Sequence, residues 1–485
     1  MRHGIYISEV PTSIVPPIKT DAGIPIVIGT APVNLAADGV GKTNEPVLAY
    51  TYAEAVAALG YSDDWANYTL CEFIYSHFVL YNVAPVVFIN VLDPTTHKES
   101  VASTSHTLAA GQVTLPDVGI LMSSLVVKAT AEGSALVVGT DYTAAFGTDG
   151  KVIVSRVKGG GITTDTSTIY VAYDKLKPSL VTATTVIGGV DTNSGALLGL
   201  ELVNQVFPKY RIVAGQICAP YWSTKPDVAA VMEAKANAIN GVFRAVALTD
   251  IPTDEVTKYS DAPAWKNDNN YVYNRQTVCW PKVKLGSKIF HMSTQQAGLT
   301  CLLDSQNSDV PYESPSNKNL QMDGLCLEDG TEVVFGMDEA NYLNGQGIIT
   351  ALNWIGGWRL WGNRTAAYPA TTDPKDSFLS IRRMFDWNGN VFLQTYWQKV
   401  DKPVNRVLIE TLVDSENIRL NGLASRGFIL GGRMAFLADE NPTTDLMNGI
   451  IRFHSYITPP TPAEEIDDIL EYDTSYLSTL FGSNA

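Results

Sequence analysis

The chain has 485 residues and a formal net charge of −16, because 34 Lys and Arg residues are outnumbered by 50 Asp and Glu residues. Hydrophobic residues make up 45% of it and charged residues 17%, which suits several packed domains and excludes a disordered chain. The acidic balance argues against direct binding to nucleic acid, which needs a basic surface, and against docking on an anionic membrane.

The N-terminal region reads as an extended arm that leads into a buried strand. Its first ten residues, MRHGIYISEV, lack a charged segment followed by an apolar one, so we expect no signal peptide. Residues 4–10 favour a short strand, and the prolines that follow exclude a regular helix. Residues 24–30 (IPIVIGT) form a continuous apolar run, which is typical of a strand buried on both faces. Residues 85–92 (PVVFINVL) predict a second such strand.

The sequence pattern changes twice in the middle of the chain. From about residue 100 to 177, short β-branched segments alternate with turn signals, which predicts an inserted β-sandwich or barrel. Afterwards, residues 211–219 predict a strand, a helix follows that ends at Gly241, and residues 243–248 predict another strand. This order predicts a βαβ unit with parallel strands and a right-handed crossover.

The last third of the chain is predicted to contain both helices and strands. Residues 348–361 look helical, with Trp354, Trp358 and Trp361 as a buried packing cluster in preference to a platform for sugars or bases. Residues 404–423 also predict a helix. Two strands are predicted before a proline-rich, acidic tail, over residues 433–438 and 450–457.

No catalytic, cofactor-binding or metal-binding residues are predicted. Residues 36–43 (AADGVGKT) approach a phosphate-binding loop, but Ala36 replaces its first glycine and Pro46 prevents a following helix, so we expect a flexible polar loop. The cysteines have no zinc-like spacing and predict buried, reduced thiols. They are Cys71, Cys218, Cys279, Cys301 and Cys326.

Several segments, in order along nearly the whole chain, resemble those of contractile tail sheath proteins. Residues 95–187 fall outside the resemblance. The segments are 3–10 (HGIYISEV) with 24–31 (IPIVIGTA), 188–191 (GGVD) through 249–252 (TDIP), 344–350 (NGQGIIT), 361–365 (WGNRT), 381–383 (IRR), 448–449 (NG) and 459–466 (PPTPAEEI).

The resemblance implies a structural subunit rather than an enzyme. Copies would form sixfold rings, stacked into a helical sheath around an inner tail tube protein, with baseplate and tail terminator proteins at the ends. On a signal from the baseplate the sheath would shorten and drive the tube through a cell envelope, with no nucleotide or other cofactor. The particle would be a virion tail, or a tail-like one, assembled in the bacterial cytoplasm.

The predicted fold is a mixed α/β multidomain chain, with a core sheet flanked by helices, an inserted β-sandwich or barrel-like domain, and extended terminal β arms. The expected divisions are an N-terminal arm (1–23), a first core α/β segment (24–99), an inserted outer β domain (100–187), a second core α/β segment (188–343), a C-terminal tube-proximal domain (344–458), and a C-terminal arm and tail (459–485).

Two sets of interface residues are predicted. The arms should add strands to a neighbouring subunit's sheet through Ile5, Tyr6, Ile7, Val10, Ile466, Ile469, Leu470 and Tyr472. The resemblance implies tube contact through the helix of residues 404–423 and its exit. There Arg419 and Arg426 are seven residues apart and would share a helix face.

Two other functions remain open from the residues alone. An α/β enzyme with an appended β domain would be a small oligomer with a ligand pocket. A capsid or other lattice protein would form shells instead of cylinders.

Overall fold

A computed structural model of the chain describes Ile18–Lys19 and residues 22–481, which form a mixed α/β architecture of several small sheets and helices. This confirms the predicted fold class in its coarse form. The helices are α1 (Tyr52–Leu59), α2 (Thr69–Tyr75), α3 (Ala183–Ile187), α4 (Val203–Tyr210), α5 (Pro226–Asn237), α6 (Ala262–Asp268), α7 (Met292–Gln306), α8 (Met337–Asn344), α9 (Pro374–Ser377), α10 (Leu379–Tyr396), α11 (Arg406–Ser425) and α12 (Thr443–Met447).

The strands are short, and most belong to sheets of two to four strands. They are β1 (Ile18–Lys19), β2 (Pro25–Gly29), β3 (Pro46–Ala49), β4 (Val83–Ala84), β5 (Val86–Asn90), β6 (Lys98–Thr107), β7 (Gln112–Val118), β8 (Val126–Lys128), β9 (Tyr142–Phe146), β10 (Lys151–Arg156), β11 (Thr168–Leu176), β12 (Gly189–Val190), β13 (Leu197–Leu198), β14 (Gln216–Cys218), β15 (Val246–Asp250), β16 (Gln276–Cys279), β17 (Lys282–Leu285), β18 (Lys288–Phe290), β19 (Gly324–Cys326), β20 (Glu332–Val333), β21 (Thr350–Trp354), β22 (Gly357–Trp361), β23 (Gly431–Ala435) and β24 (His454–Thr458).

The largest sheet has six strands in the order β16-β15-β14-β2-β5-β3. All neighbours are parallel except β3, which runs antiparallel to β5 at the edge. Alternate side chains supply two cores: Val27 and Phe88 pack on one face, and Ile26 and Val87 on the other. Because helices cover both faces, β2 and β5 are buried throughout, as their continuous apolar runs predicted. The parallel pairing of β14 with β15 across α5 confirms the predicted βαβ unit.

The β-rich stretch after residue 97 has a core of its own. Two three-stranded sheets, β7-β10-β9 and β6-β11-β8, enclose a cluster that includes Leu115, Val154 and Val171. The two ends of this β-rich stretch lie side by side, because the Lys177 N–H donates to the His97 carbonyl over 2.9 Å.

Residues 348–361 are a β-hairpin, so the predicted helix is wrong. β21 and β22 pair antiparallel, and Gly356 and Gly357 have φ values of +89° and +98°, where glycine is favoured. The tryptophans that suggested a helical face are good strand formers. Ile355 and Gly356 form the turn, and Gly357 begins β22. Trp354 is exposed, so the three tryptophans do not form one buried cluster.

Buried ion pairs attach α10 to the core. Arg383 Nη1 donates to Asp304 of α7 over 3.0 Å, and both side chains are almost fully buried. Arg275 donates through two nitrogens to Asp386, at 2.9 and 2.8 Å. Burial raises the pKa of the Asp304 carboxyl, and the Arg383 charge opposes that rise. These pairs couple the core to the helix that precedes α11 and the hairpin β23–β24.

Within the described residues, no helix combines the length and the apolar character that crossing a bilayer requires.

Candidate subunit interface

Residues at the carboxyl ends of the parallel strands, where an α/β enzyme would bind its substrate, hydrogen-bond to one another. Asp250, the last residue of β15, accepts from the Ser293 N–H over 3.0 Å and from the hydroxyls of Ser293 and Ser223. His291 donates its backbone N–H to Glu72, and its Nδ1 lies 2.8 Å from the same carboxylate. All five side chains are buried, and burial raises the pKa of Asp250. These hydrogen bonds join α2, β15, the start of α7 and the turn that holds Ser223.

The loop that approaches a phosphate-binding motif is a polar turn. The Asp38 carboxylate accepts from the backbone N–H groups of Val40 and Gly41, over 3.0 and 2.6 Å, and strand β3 follows instead of a helix. In the part of the chain that the structure describes, no group of three or more His, Cys, Asp or Glu residues is arranged to hold a metal ion. The cysteines are buried and free, and burial raises the pKa of Cys71 to about 12.

The C-terminal arm presents its predicted interface residues to solvent. Ile466, Ile469 and Leu470 are 87–89% exposed, Tyr472 is exposed as well, and residues 459–473 form no helix or strand. The N-terminal interface residues, Ile5, Tyr6, Ile7 and Val10, lie outside the described residues. Four large apolar side chains in water indicate a segment whose partner is absent from the single chain.

The root of the C-terminal arm is bound to the body of its own subunit. Arg364 Nε donates to Glu464 over 2.8 Å, and a second nitrogen of the guanidinium donates to the other carboxylate oxygen. The same guanidinium lies 4.3 Å from the centroid of the Tyr368 ring and 3.7 Å from that of Phe378. Two ring contacts and a bidentate pair orient the arm where it leaves the body.

The hairpin β23–β24 has one closed edge and one open edge. On the outer side of β23, Met434 donates its N–H to the Asn417 side chain over 2.7 Å and accepts from it over 3.1 Å. The backbone N–H and C=O of Met434 therefore point away from β24. Ser455 lies directly opposite Met434, so its backbone N–H and C=O point away from β23. Ile457, two residues on, has the same orientation. Within the described residues, the outward backbone N–H groups of Ser455 and Ile457 have no acceptor.

The two predicted tube-contact arginines differ in environment. Arg419 is half-buried: its Nε donates to Glu416 over 3.0 Å, and its guanidinium lies 5.8 Å from the Trp387 ring. Arg426 caps the C-terminus of α11 and is exposed, with its guanidinium 4.8 Å from the Phe428 ring. Only Arg426 is thus free to bind another molecule without breaking an ion pair.

Sequence reasoning missed three of these residues. Asn417, Arg364 and Glu464 act through pairing across the fold, over 17 and 100 positions of sequence. The local signal in the sequence was the carboxylate of Glu464, which follows a proline-rich segment.

Comparisons with known proteins point to one family. No protein-family model matches the chain. It is 28% identical over 493 aligned residues to the tail sheath protein of Burkholderia phage BcepMu, covering 99% of each chain. Its fold is similar to a chain in the baseplate of the anti-feeding prophage, with a TM-score of 0.59, 13% identity and coverage of 97% of this chain and 99% of that one.

A second solved structure has the same fold. The contracted sheath complex of the extracellular contractile injection system PVC gives a TM-score of 0.57 at 13% identity, covering 98% of each chain. Together these similarities confirm the resemblance to contractile tail sheath proteins and extend it over the whole chain.

Proposed function

We propose that this chain, a relative of the tail sheath proteins from end to end, is the subunit of a contractile sheath. Copies polymerise around an inner tail tube, and the sheath contracts to drive that tube through a cell envelope. The observation that carries this is the match to the BcepMu tail sheath protein over 99% of both chains.

The proposed partners are further copies in stacked sixfold rings, the inner tube protein, and baseplate and terminator proteins. The particle is a virion tail or a tail-like device, assembled in the bacterial cytoplasm. Contraction needs no nucleotide, since subunits stored in a metastable lattice release energy as they repack.

Strand exchange by the two arms links the subunits. The C-terminal arm supports this because its apolar residues are exposed and its root is held by Arg364. The receiving surface is the open edge of β24, since Asn417 occupies the edge of β23. Main-chain hydrogen bonds supply the affinity, and alternate side chains set the register.

The six divisions expected from the sequence remain our division of the chain, with the stretch 100–187 as an outer β domain. Its sheets have their own core, and its ends meet at His97 and Lys177. Leu176, Val181 and Val186, however, pack in the core of the six-stranded sheet, so the unit to be excised is residues 98–175.

Excising residues 98–175 with a short linker should leave polymerisation intact, because insertions whose ends adjoin are tolerated. Size-exclusion chromatography and negative-stain microscopy of the excised protein test this. A protein that is insoluble, or that remains monomeric, would mean that the β unit belongs to the assembling core.

We propose that Arg419 and Arg426 contact the tube. Substitution of Arg426 tests this more directly, because Arg419 also forms an ion pair with Glu416. Arg426→Glu should reduce co-sedimentation of sheath with tube by at least about tenfold, as loss of a central charge pair does. Tube-free polymer should be unaffected. Lys158→Glu, at an exposed lysine of the β unit, is the control for charge reversal. Normal tube decoration by Arg426→Glu would remove this residue from the interface.

A further inference from the structure

The two faces of the hairpin β23–β24 differ in character. On the inner face, Met434 is buried, and Ile457 packs against a cluster to which α11 contributes Leu420. On the outer face, Arg433 and Tyr456 lie directly opposite each other, and both are exposed. Successive side chains of a strand point to opposite faces. A strand added at the open edge of β24 would therefore turn one row of side chains to the inner face and the other row to the outer face.

Arg433 is an unpaired cation on the outer face. Its guanidinium lies 4.1 Å from the centroid of the Tyr456 ring, so the side chain reaches from β23 over the neighbouring strand. Within the described residues, Arg433 forms no ion pair, whereas the other charged side chains around this face are already partnered. These pairs are Glu440 with His454, and Arg452 with Asp445. Arg433 is therefore available to an acidic group that arrives along the open edge of β24.

The C-terminal arm has an alternation that matches these two faces. As a strand, residues 466–473 would present two rows of side chains, one mostly apolar and the other mostly acidic. The apolar row consists of Ile466, Asp468, Leu470 and Tyr472. The acidic row consists of Asp467, Ile469, Glu471 and Asp473. All eight residues are exposed in the single chain. The apolar row suits the inner face of the hairpin, and the acidic row suits the outer face that holds Arg433.

One register satisfies both rows at once. In it, Leu470 and Tyr472 occupy the two inner-face places beside the outward N–H groups of β24. Glu471 lies between them in sequence, so it falls opposite Tyr456 and within reach of Arg433. This placement of Glu471 is the same whether the arm runs parallel or antiparallel to β24, because Glu471 is the central residue of the three.

The neighbouring registers each fail one requirement. A shift by two residues in one direction places Asp468 among the apolar side chains of the inner face, where burying an unpaired carboxylate is costly. A shift by two in the other direction requires Thr474 in the strand, but this residue begins the 3-10 helix Thr474–Phe481. A shift by one residue exchanges the two rows.

We propose that Arg433 determines the register of strand exchange by pairing with Glu471 of a second copy of the chain. Adjacent strands lie about 4.8 Å apart, so an arm beside β24 is about 10 Å from β23, a distance that an arginine and a glutamate side chain span together. Charge complementarity of this kind fixes register and disfavours wrong pairings more than it adds affinity. The inference rests on the proposed strand exchange and adds the residue pair that aligns it.

Exchanging the two charges tests the pair in a pelleting assay of polymer. Arg433→Glu should raise the concentration needed for polymerisation at least about tenfold, because two carboxylates would then face each other. Adding Glu471→Arg to that variant should return the concentration close to the wild-type value. The matched control adds Asp467→Arg instead. Asp467 belongs to the same acidic row but lies about 13 Å further along the strand, so this change should restore nothing.

The outcomes separate the register from strand exchange itself. Each single variant should keep the wild-type unfolding midpoint, because the three side chains are exposed. Unchanged polymerisation by Arg433→Glu would overturn the pair and leave strand exchange standing. Rescue by Asp467→Arg in place of Glu471→Arg would overturn the register.

Cysteine cross-linking tests the same contact without requiring a polymer. Glu471→Cys on one full-length copy and Tyr456→Cys on another should form a disulfide-linked dimer on oxidation, because residues directly opposite on adjacent strands lie within disulfide range. The five native cysteines are buried. Asp467→Cys replaces Glu471→Cys in the control and should give no product above background.

Each cross-linking result has one meaning. As much product from Asp467→Cys as from Glu471→Cys would overturn the register, and product from neither would overturn the contact at β24. If the wild-type chain forms no polymer at any concentration, the sheath proposal fails, and the linkage still decides whether the arm of one copy binds the hairpin of another.

Discussion

Removing every residue after Pro462 should give a folded, soluble monomer that no longer forms cylinders. Among the described residues of the arm, Ile466, Ile469 and Leu470 are exposed and add nothing to the core of their own subunit. In the assembly it adds a strand to a neighbour, so its loss removes main-chain hydrogen bonds that no other segment replaces. Negative-stain microscopy and size-exclusion chromatography should find the polymer reduced below detection. Deleting residues 1–17 should have the same effect.

A second truncation separates the arm from its anchor. Cutting after Glu465 keeps the Arg364–Glu464 ion pair, and this variant should also remain monomeric. If the truncation after Pro462 assembles normal sheath, strand exchange by the C-terminal arm is wrong.

The receiving edge has its own test. Ser455→Pro removes an outward N–H from the open edge of β24 and spares the bonds to β23, because proline is tolerated on edge strands. It should block assembly as strongly as the truncation, whereas Ser455→Ala should assemble normally. Assembly by the proline variant would place the neighbour's arm on another edge.

Replacing Arg383 with Met should lower the free energy of unfolding by about 3–5 kcal/mol, the range for removing one partner of a buried ion pair. Asp304 would then be left uncompensated between α7 and α10, where burial already raises its pKa. Urea denaturation followed by tryptophan fluorescence measures the change. Arg406→Gln, on the exposed Arg406–Glu410 pair of α11, is the control and should unfold like the wild type.

The double variant Arg383→Met, Asp304→Leu should recover most of the lost stability, because replacing both ions with apolar groups removes the uncompensated charge. A single variant as stable as the wild type would mean that the pair does not hold α10 to the core.

The sequence was sufficient for elements whose burial follows from local composition. Residues 24–30 and 85–92 are apolar without interruption, so a strand covered on both faces was the simplest structure for each. The βαβ unit followed because short loops joined two strands through one helix. The resemblance supplied the functional class, which no catalytic or ligand-binding motif could.

Features that depend on contacts between residues apart in the sequence could not be predicted from local composition. Tryptophans spaced along residues 348–361 matched a helix, while Gly356 and Gly357 allowed the hairpin that the structure has. Arg419 was expected to share a free face with Arg426, but it pairs with Glu416 three residues earlier. The open edge of β24 depends on Asn417, whose partner Met434 is 17 residues away.

Negative-stain microscopy of the purified full-length chain tests the central claim most directly. A contractile sheath subunit should polymerise into hollow cylinders with sixfold symmetry in end views, with or without an inner tube. Closed shells would identify a different kind of lattice protein. A discrete small oligomer at every concentration would contradict the sheath function and favour an α/β enzyme.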